Sequence, residues 1–364
     1  MTNVNQYGWK ALVGSAVGYA MDGFDLLILG FMLSAISADL NLTPAQSGSL
    51  VTWTLIGAVV GGIVFGALSD RYGRVRVLTW TIVLFAVFTG LCAIAQGYWD
   101  LLIYRTIAGI GLGGEFGIGM ALAIEAWPAK HRAKAASYVA LGWQVGVLAA
   151  ALLTPVLLPH IGWRGMFVVG IFPAFVAWYL RTRLHEPEIF SRKQTELSTQ
   201  KISKLESFKR LVKDKATTKV SLGVVVLTSV QNFGYYGIMI WMPNFLSKQL
   251  GFSLTKSGLW TAVTVCGMMA GIWIFGRLAD RIGRKPSFLL FQLGAVISII
   301  TYSQLTEPTA MLVAGAFLGM FVNGMMGGYG ALMAEAYPTE ARATAQNVLF
   351  NLGRAVGGFG PVVV

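Results

Sequence analysis

The stretch "GALSDRYGRVR", residues 66–76, occurs a second time as "GRLADRIGRKP", residues 276–286. Gly66, Leu68, Asp70, Arg71, Gly73 and Arg74 match Gly276, Leu278, Asp280, Arg281, Gly283 and Arg284, an offset of 210 residues. A second pair, "EAWPAKHRAKA" (125–135) and "EAYPTEARATA" (335–345), stands at the same offset. Two separate motifs sharing one spacing mark a duplicated unit. Each copy of the first motif follows a long apolar run, so the two halves are related in parallel.

The rest of the chain suits a bilayer. Of 364 residues 55% are hydrophobic and 12% charged, where a soluble domain carries about 25% charged residues. Apolar runs place spans at roughly 10–37, 48–69, 77–96, 99–124, 135–158 and 163–182, then 219–246, 257–279, 286–304, 309–334 and 342–364. Each is close to the ~20 residues that cross a hydrocarbon core as helix. The fold class is an all-α polytopic membrane protein with an N-terminal bundle at 1–182, a charged linker at 183–218 and a C-terminal bundle at 219–364. Within the linker, Ile202, Leu205, Phe208 and Leu211 recur at helical spacing, the pattern of a helix lying on the inner membrane surface.

The formal charge of +12 follows topology. Segment 181–219 holds eleven Lys or Arg against five acids, while "SADLNLTPAQ" (37–46), "QGYWD" (96–100) and "SQLTEP" (303–308) hold no Lys or Arg. By the positive-inside rule the basic loops and the N-terminus face the cytoplasm, against anionic lipid rather than nucleic acid. Cys92 and Cys266 each sit in an apolar span, so neither a disulfide framework nor a metal site is expected. No zinc-ligand pair or serine elbow argues for an enzyme, and no cofactor is expected. The "GIGLGG" at 109–114 follows no strand and reads as helix packing, not as a dinucleotide loop. Paired six-helix bundles are the construction of an alternating-access transporter, with its path between the halves.

The repeated loop resembles the signature loop of the major facilitator superfamily, and "RTIAGIGLGGEFG" (105–117) resembles the fourth-helix motif of its proton-coupled members. "DGFD", "GGEFG" and "IEAWPAKHRAKA" are most similar to the sialate and monocarboxylate proton symporters, then to the aromatic-acid proton symporters. The likeness covers essentially the whole chain. It implies a two-bundle fold in the bacterial inner membrane, acting as a monomer on protons and a small organic anion. A uniporter, an antiporter or a non-transporting nutrient sensor of the same fold is the alternative. Members have twelve spans, while this chain stops at "GFGPVVV" (358–364) within the eleventh, so the second half is expected to be cut short there.

Asp22 and Asp25 lie three apart near the middle of the first span, where a carboxylate costs roughly 2.5–3.5 kcal/mol to insert. Arg105 is the natural partner for Asp25: paired, it holds the acid ionised, and separated, it lets the acid take a proton. The resemblance to the G-Y-D of sugar–proton symporters also implies that Asp25 is the proton site. Glu115, ten residues beyond Arg105, is a second proton site or orients Arg105; the sequence leaves both open. Asn347, Asn351 and Arg354 fall at i, i+4 and i+7 on one face of the eleventh span. An arginine near mid-membrane needs an anion, and the deep parts of the C-terminal spans show no acid. A substrate carboxylate, or an acid of the N-terminal half, is its expected partner, and the resembled families imply the former. Gln144, Gln231, Asn232, Tyr235, Tyr236 and Asn323 are the expected polar lining; Trp143 and Trp241 read equally as packing or interface anchors. Asp70, Arg74, Glu125 and Arg132, mirrored by Asp280, Arg284, Glu335 and Arg342, are expected to form two exposed cytoplasmic charge clusters. Each pair would contribute little alone, and together they would bias the outward-open state.

Overall fold

A computed structural model describes residues 6–182, 184–186, 206–241 and 254–357. The described residues are helical, without strands. The long helices are α1 (Gln6–Leu40), α2 (Pro44–Tyr72), α3 (Arg74–Cys92), α4 (Tyr98–Gly113), α5 (Glu115–Glu125) and α6 (Arg132–Thr182). Then come α7 (Lys215–Tyr236), α8 (Leu254–Ile282), α9 (Arg284–Ser303), α10 (Pro308–Gly324), α11 (Met326–Ala336) and α12 (Arg342–Gly357). Eight helical stretches among the described residues are long and apolar enough to cross a membrane. Three differences separate this from the span count in the sequence. The fifth and sixth spans run on as one element that changes direction at Gly162, whose φ of 63° suits glycine. The fourth and tenth spans are each broken, after Gly113 and after Gly324. Neither α7 nor α12 is among the eight, α7 being rich in Thr, Ser, Gln and Asn and α12 described for 16 residues.

Polarity is inverted relative to a soluble protein. Phe172, Ile297, Leu293 and Val156 are more than 60% exposed, whereas Asp25, Arg105 and Arg74 are 0% exposed. Hydrocarbon covers the first group and cannot solvate the second, so charged side chains turn inward and pair. The buried aromatic core runs through both halves, with Tyr19, Phe116 and Trp143 packed beside Phe275, Tyr329 and Phe350.

Glycine sets how closely the helices approach. A Cβ on Gly57 or Gly61 of α2 would overlap the carbonyls of Thr106 and Ile110 on α4. Reciprocally, a Cβ on Gly109 or Gly113 would overlap the carbonyls of Thr54 and Ala58. The repeat carries the seam into the second half, where Gly267 and Gly271 of α8 face Ala316 and Met320, and Gly319 faces Thr264. Backbone-to-backbone contact of this kind supplies the van der Waals packing that replaces a hydrophobic driving force within lipid.

Of the linker, residues 184–186 and 206–218 are described. Glu186 accepts the backbone N–H groups of Arg74 (2.7 Å), Val75 (3.0 Å) and Arg76 (3.2 Å), capping α3 from outside. Burial pushes its carboxyl above the ordinary value, against those donors. Gly73 gives it room, with φ 109° and no side chain to meet the carboxylate. Of the surface-helix residues, Phe208 is half-buried and Leu211 buried in a helical turn at 206–212, while Ile202 and Leu205 lie outside the described residues.

Gly61→Leu is expected to destabilise the protein by at least ~1–3 kcal/mol, since an overpacked backbone contact cannot relax without parting α2 and α4. Gly30→Leu, where a Cβ meets nothing within 4 Å, is the control. Thermal unfolding of both in detergent checks the contrast.

Candidate functional site: a polar cavity between the halves and its closure by the repeated loops

Arg105 forks onto Asp25, with Nη1 donating to Oδ1 at 3.0 Å and Nη2 to Oδ2 at 2.6 Å. Both side chains are fully buried, and the guanidinium lies 5.6 Å from the Phe167 ring centroid. Two parallel hydrogen bonds between opposite charges are the strong form of this contact. The structure therefore brings together the two residues that the sequence paired. Asp22 is buried one turn away and lies within electrostatic reach of Arg354 in the other half. Glu115, the first residue of α5, accepts from Thr81 Oγ1 at 2.7 Å. Thr81 was not among the expected residues; its match on α3 is visible only once the helices are packed.

The cavity is small, about 20 Å³, and is lined from both halves. Tyr19, Trp143 and Gln144 come from the first, and Gln231, Asn232, Tyr235, Tyr236, Asn323, Phe350 and Arg354 from the second. Arg354 Nε donates to Tyr236 Oη at 2.9 Å, and the guanidinium lies 5.0 Å from the Trp143 ring. Trp143 Nε1 donates to Tyr235 Oη at 2.9 Å. Gln231 Nε2 donates to Asn323 Oδ1 at 2.7 Å. Three buried atoms of this lining, Gln144 Oε1, Gln231 Oε1 and Asn323 Nδ2, have no hydrogen-bond partner. An unpaired buried amide atom costs ~1–3 kcal/mol, so the wall is built for a guest or water that supplies the missing donors and acceptor. Tyr19 and Phe350 went unnoticed in the sequence, although each holds a legible spacing, three residues before Asp22 and four before Arg354. Trp143 serves here as a polar anchor; the Trp241 side chain lies outside the described residues.

Two expected lining residues are elsewhere. Asn347 Oδ1 accepts from Gly117 N at 2.9 Å, and Asn351 Nδ2 donates to Gly113 O at 3.4 Å. The stripe they share with Arg354 is seven residues long, about 10 Å at 1.5 Å per residue. The N-terminal half covers the part of it nearest the repeated loops, so Arg354 reaches the cavity and the two asparagines do not.

At one end of the bundle the repeated loops cross between the halves. Asp70 accepts from Ala343 N (3.3 Å), Thr344 N (2.9 Å) and Thr344 Oγ1 (2.6 Å), capping the first turn of α12. Asp280 mirrors it on α6, accepting from Ala133 N (3.1 Å) and Lys134 N (3.0 Å). A carboxylate at a helix N-terminus meets unpaired N–H groups and the positive end of the dipole. Arg74 ties Asp70 (2.7 Å), Glu125 (3.3 Å) and the Thr339 carbonyl (2.7 Å) into one network. Arg342 was expected with Glu335, but reaches Glu125 across the interface at 3.0 Å. Glu335 instead takes Arg284 at 2.6 Å, which also holds Asp280 at 2.9 Å. Arg132 was expected in one cluster with Asp70, Arg74 and Glu125; the oxygen Glu125 Oε1 is held by Arg74 and Arg342, and Arg132 stands in the field of Arg342. The expected uniform exposure is also corrected. Arg74, Asp70 and Glu125 side chains are 0–1% exposed, whereas Glu335 is 40% exposed.

An all-helical membrane protein of two repeats, closed at one end by crossed caps and holding a polar cavity with a buried cation, is built as a solute carrier. The Major Facilitator Superfamily profile matches residues 15–361, and the chain belongs to that family. It is 89% identical over 367 residues to a Haemophilus influenzae protein provisionally described as a metabolite transport protein, covering 100% of this chain and 90% of the other. A cis,cis-muconate transport protein of Acinetobacter baylyi is 29% identical, covering 100% of this chain and 88% of its own length. The sialic acid transporter NanX of Escherichia coli is 28% identical, with 99% and 87% covered. Among solved structures, the proton:xylose symporter XylE bound to 6-bromo-6-deoxy-D-glucose superposes with a TM-score of 0.81 at 21% identity, over 98% of this chain and 88% of that one. The fold is that of XylE.

Removing Arg74 leaves buried Asp70 without a cation and buried Glu125 with Arg342 alone, whereas removing Arg284 leaves a partly hydrated cluster. Arg74→Ala is expected to cost ~3–5 kcal/mol and Arg284→Ala about 1 kcal/mol or less. Denaturation of the two variants side by side checks the ratio.

Proposed function

We propose that the protein takes up a small organic anion together with protons by alternating access. In this reading residues 1–182 and 219–364 are the two moving bundles, joined by the cytoplasmic linker at 183–218. The protein sits as a monomer in a bacterial inner membrane with its N-terminus inside. The observation that carries the reading is Arg354 set in a cavity whose Gln144, Gln231 and Asn323 have unsatisfied amide atoms. A guanidinium holds a carboxylate through two parallel hydrogen bonds, and the amides supply acceptors and a donor for hydroxyl, amide or second carboxyl groups. The substrates for which these relatives are named, cis,cis-muconate and sialic acid, are both carboxylates, consistent with this chemistry.

Proton coupling is assigned to Asp25 with Arg105. While the fork is intact, the two charges cancel in a dry site and Asp25 stays ionised. Protonation from the outside discharges Asp25 and frees Arg105, whose charge is then compensated together with that of the bound anion before a low-dielectric barrier closes over the site. Asp22 and Glu115 are the auxiliary acids. Asp22, in reach of Arg354, is the group through which an arriving substrate carboxylate would be felt on the N-terminal side. The cytoplasmic caps and ion pairs act as the gate, closed when the ends of the two halves meet.

Purified protein is screened by thermal shift against a panel of organic acids, with Arg354→Ala and Arg354→Lys in parallel. At least one acid is expected to stabilise the parent, Arg354→Ala to lose that stabilisation, and Arg354→Lys to keep only a fraction of it. An acid that stabilises Arg354→Ala as well as the parent would sink the anion site. In proteoliposomes, Asp25→Asn is expected to slow uptake driven by an imposed pH gradient by about tenfold or more, equivalent to ~1.4 kcal/mol. Accumulation in the parent that ignores the gradient would overturn proton coupling and leave uniport or exchange.

A further inference from the structure

The fourth span breaks where α4 ends at Gly113 and α5 begins at Glu115. In an unbroken helix the Gly117 N–H would donate to the carbonyl four residues back, that of Gly113. Here Gly117 N donates to Asn347 Oδ1 at 2.9 Å, and Gly113 O accepts from Asn351 Nδ2 at 3.4 Å. Two asparagines one turn apart on α12, in the opposite half, thus take the two ends of one displaced helical hydrogen bond. Both are buried, and Asn351 Nδ2 also donates to Asn347 O at 2.9 Å, which lays its side chain along α12. The approach depends on bare backbone: a Cβ on Gly62 would overlap Asn351 Nδ2, and one on Gly117 would overlap the Asn347 side chain.

The second half breaks its tenth span one residue later, after Gly324, and without a clasp from the opposite half. At the 210-residue offset, Asn347 corresponds to Ser137, Asn351 to Leu141 and Gly62 to Ile272. Gly328 N donates to Met325 O at 2.9 Å, as its counterpart Ile118 N donates to Gly114 O at 3.3 Å, but among the described residues no side chain of the first half is hydrogen-bonded at that break. The cross-half arrangement is a property of one side of the molecule. It brackets Glu115, whose carboxylate is held by Thr81 just inside the break.

We propose that Asn347 and Asn351 are positioning residues for the transport cycle: a clasp that holds the fourth span broken while the cytoplasmic ends are closed. When the halves part, the asparagines leave with α12, and the Gly117 N–H and Gly113 carbonyl pair with each other. Both backbone groups are satisfied in either state, as a membrane interior requires. The span therefore has two arrangements instead of one lock, and Glu115 at the hinge is re-aimed as it switches. This rests on alternation between two states, and on neither the identity of the anion nor the assignment of Asp25.

The test is made without substrate first. In a Cys92→Ala, Cys266→Ser background, Ile124→Cys serves as the reporter, since Ile124 is 0% exposed and meets Gly330 of the other half. Its labelling by an impermeant maleimide is followed from the cytoplasmic side of inverted vesicles. Asn347→Ala and Asn351→Ala are expected to raise the labelling rate about fivefold, the scale of a ~1 kcal/mol population shift. Asn347→Ser, which places the repeat's own small polar residue there, is expected to give a smaller rise and stands in if the alanine variants do not fold. The pH profile of uptake by the same variants is then expected to move relative to the parent, because Glu115 is re-aimed. Parent-like labelling in folded variants would overturn the clasp. Raised labelling with an unmoved pH profile would overturn the positioning of Glu115. Neither result depends on the Arg354 screen, so failure here and failure of the anion site are distinguishable.

Discussion

Hydrocarbon offers a polar group nothing to bond to, and nearly every feature of this molecule answers that constraint. Arg105 and Asp25 are tolerable in the interior because each discharges the other through a two-pronged contact. The helices can approach closely enough to build such an interior because glycine faces carbonyl along the α2–α4 and α8–α10 seams. Where a helix end or break leaves backbone groups without partners, a side chain from elsewhere supplies them: Asp70 and Asp280 at the starts of α12 and α6, Glu186 at α3, and the asparagines at the fourth span. Unpaired buried atoms occur at several places, and three of them, amide atoms of Gln144, Gln231 and Asn323, gather in the cavity wall around Arg354. There a guest could supply what the interior leaves unmade.

Legibility in the sequence followed the reach of each signal. The repeat at 66–76 and 276–286 fixed the two-half architecture because duplication preserves spacing whatever the tertiary details. Asp25, Arg105 and Arg354 stood out because a charge within an apolar run is conspicuous and energetically demanding. Residues that meet across the interface were less legible. A helical stripe shows that Asn347, Asn351 and Arg354 share a face, but not that the partner half covers only part of it. The same gap hid Arg342's crossing to Glu125, since the repeat invites pairing within a half and the two copies of a loop see different neighbours. The break at Gly114 was read as close packing; that glycine also interrupts the helix is a tertiary outcome, settled by partners 230 residues away.

The two halves are thus symmetric in plan and unequal in execution. Both fourth helices break, yet only one break is satisfied by the opposite half. Both signature aspartates cap the other half's fifth helix, yet only the Arg74 network is closed to water, through Glu125 and Arg342. Duplication supplied the frame, and later divergence placed the tight contacts on one side of the interface.

That inequality sets how dissolved salt acts at the end that carries the repeated loops. Charges in contact with water lose their grip as mobile ions gather around them, over distances of ~8 Å at physiological ionic strength, while enclosed ones are shielded from this. The Arg284–Glu335 corner is open to that loosening and the Arg74–Glu125–Arg342 corner is not. The Arg284–Glu335 pair lies within the second half, whereas Glu125–Arg342 crosses between the halves and is enclosed. Dissolved ions therefore act on a charge pair that belongs to one half and leave untouched the one that bolts the two halves together.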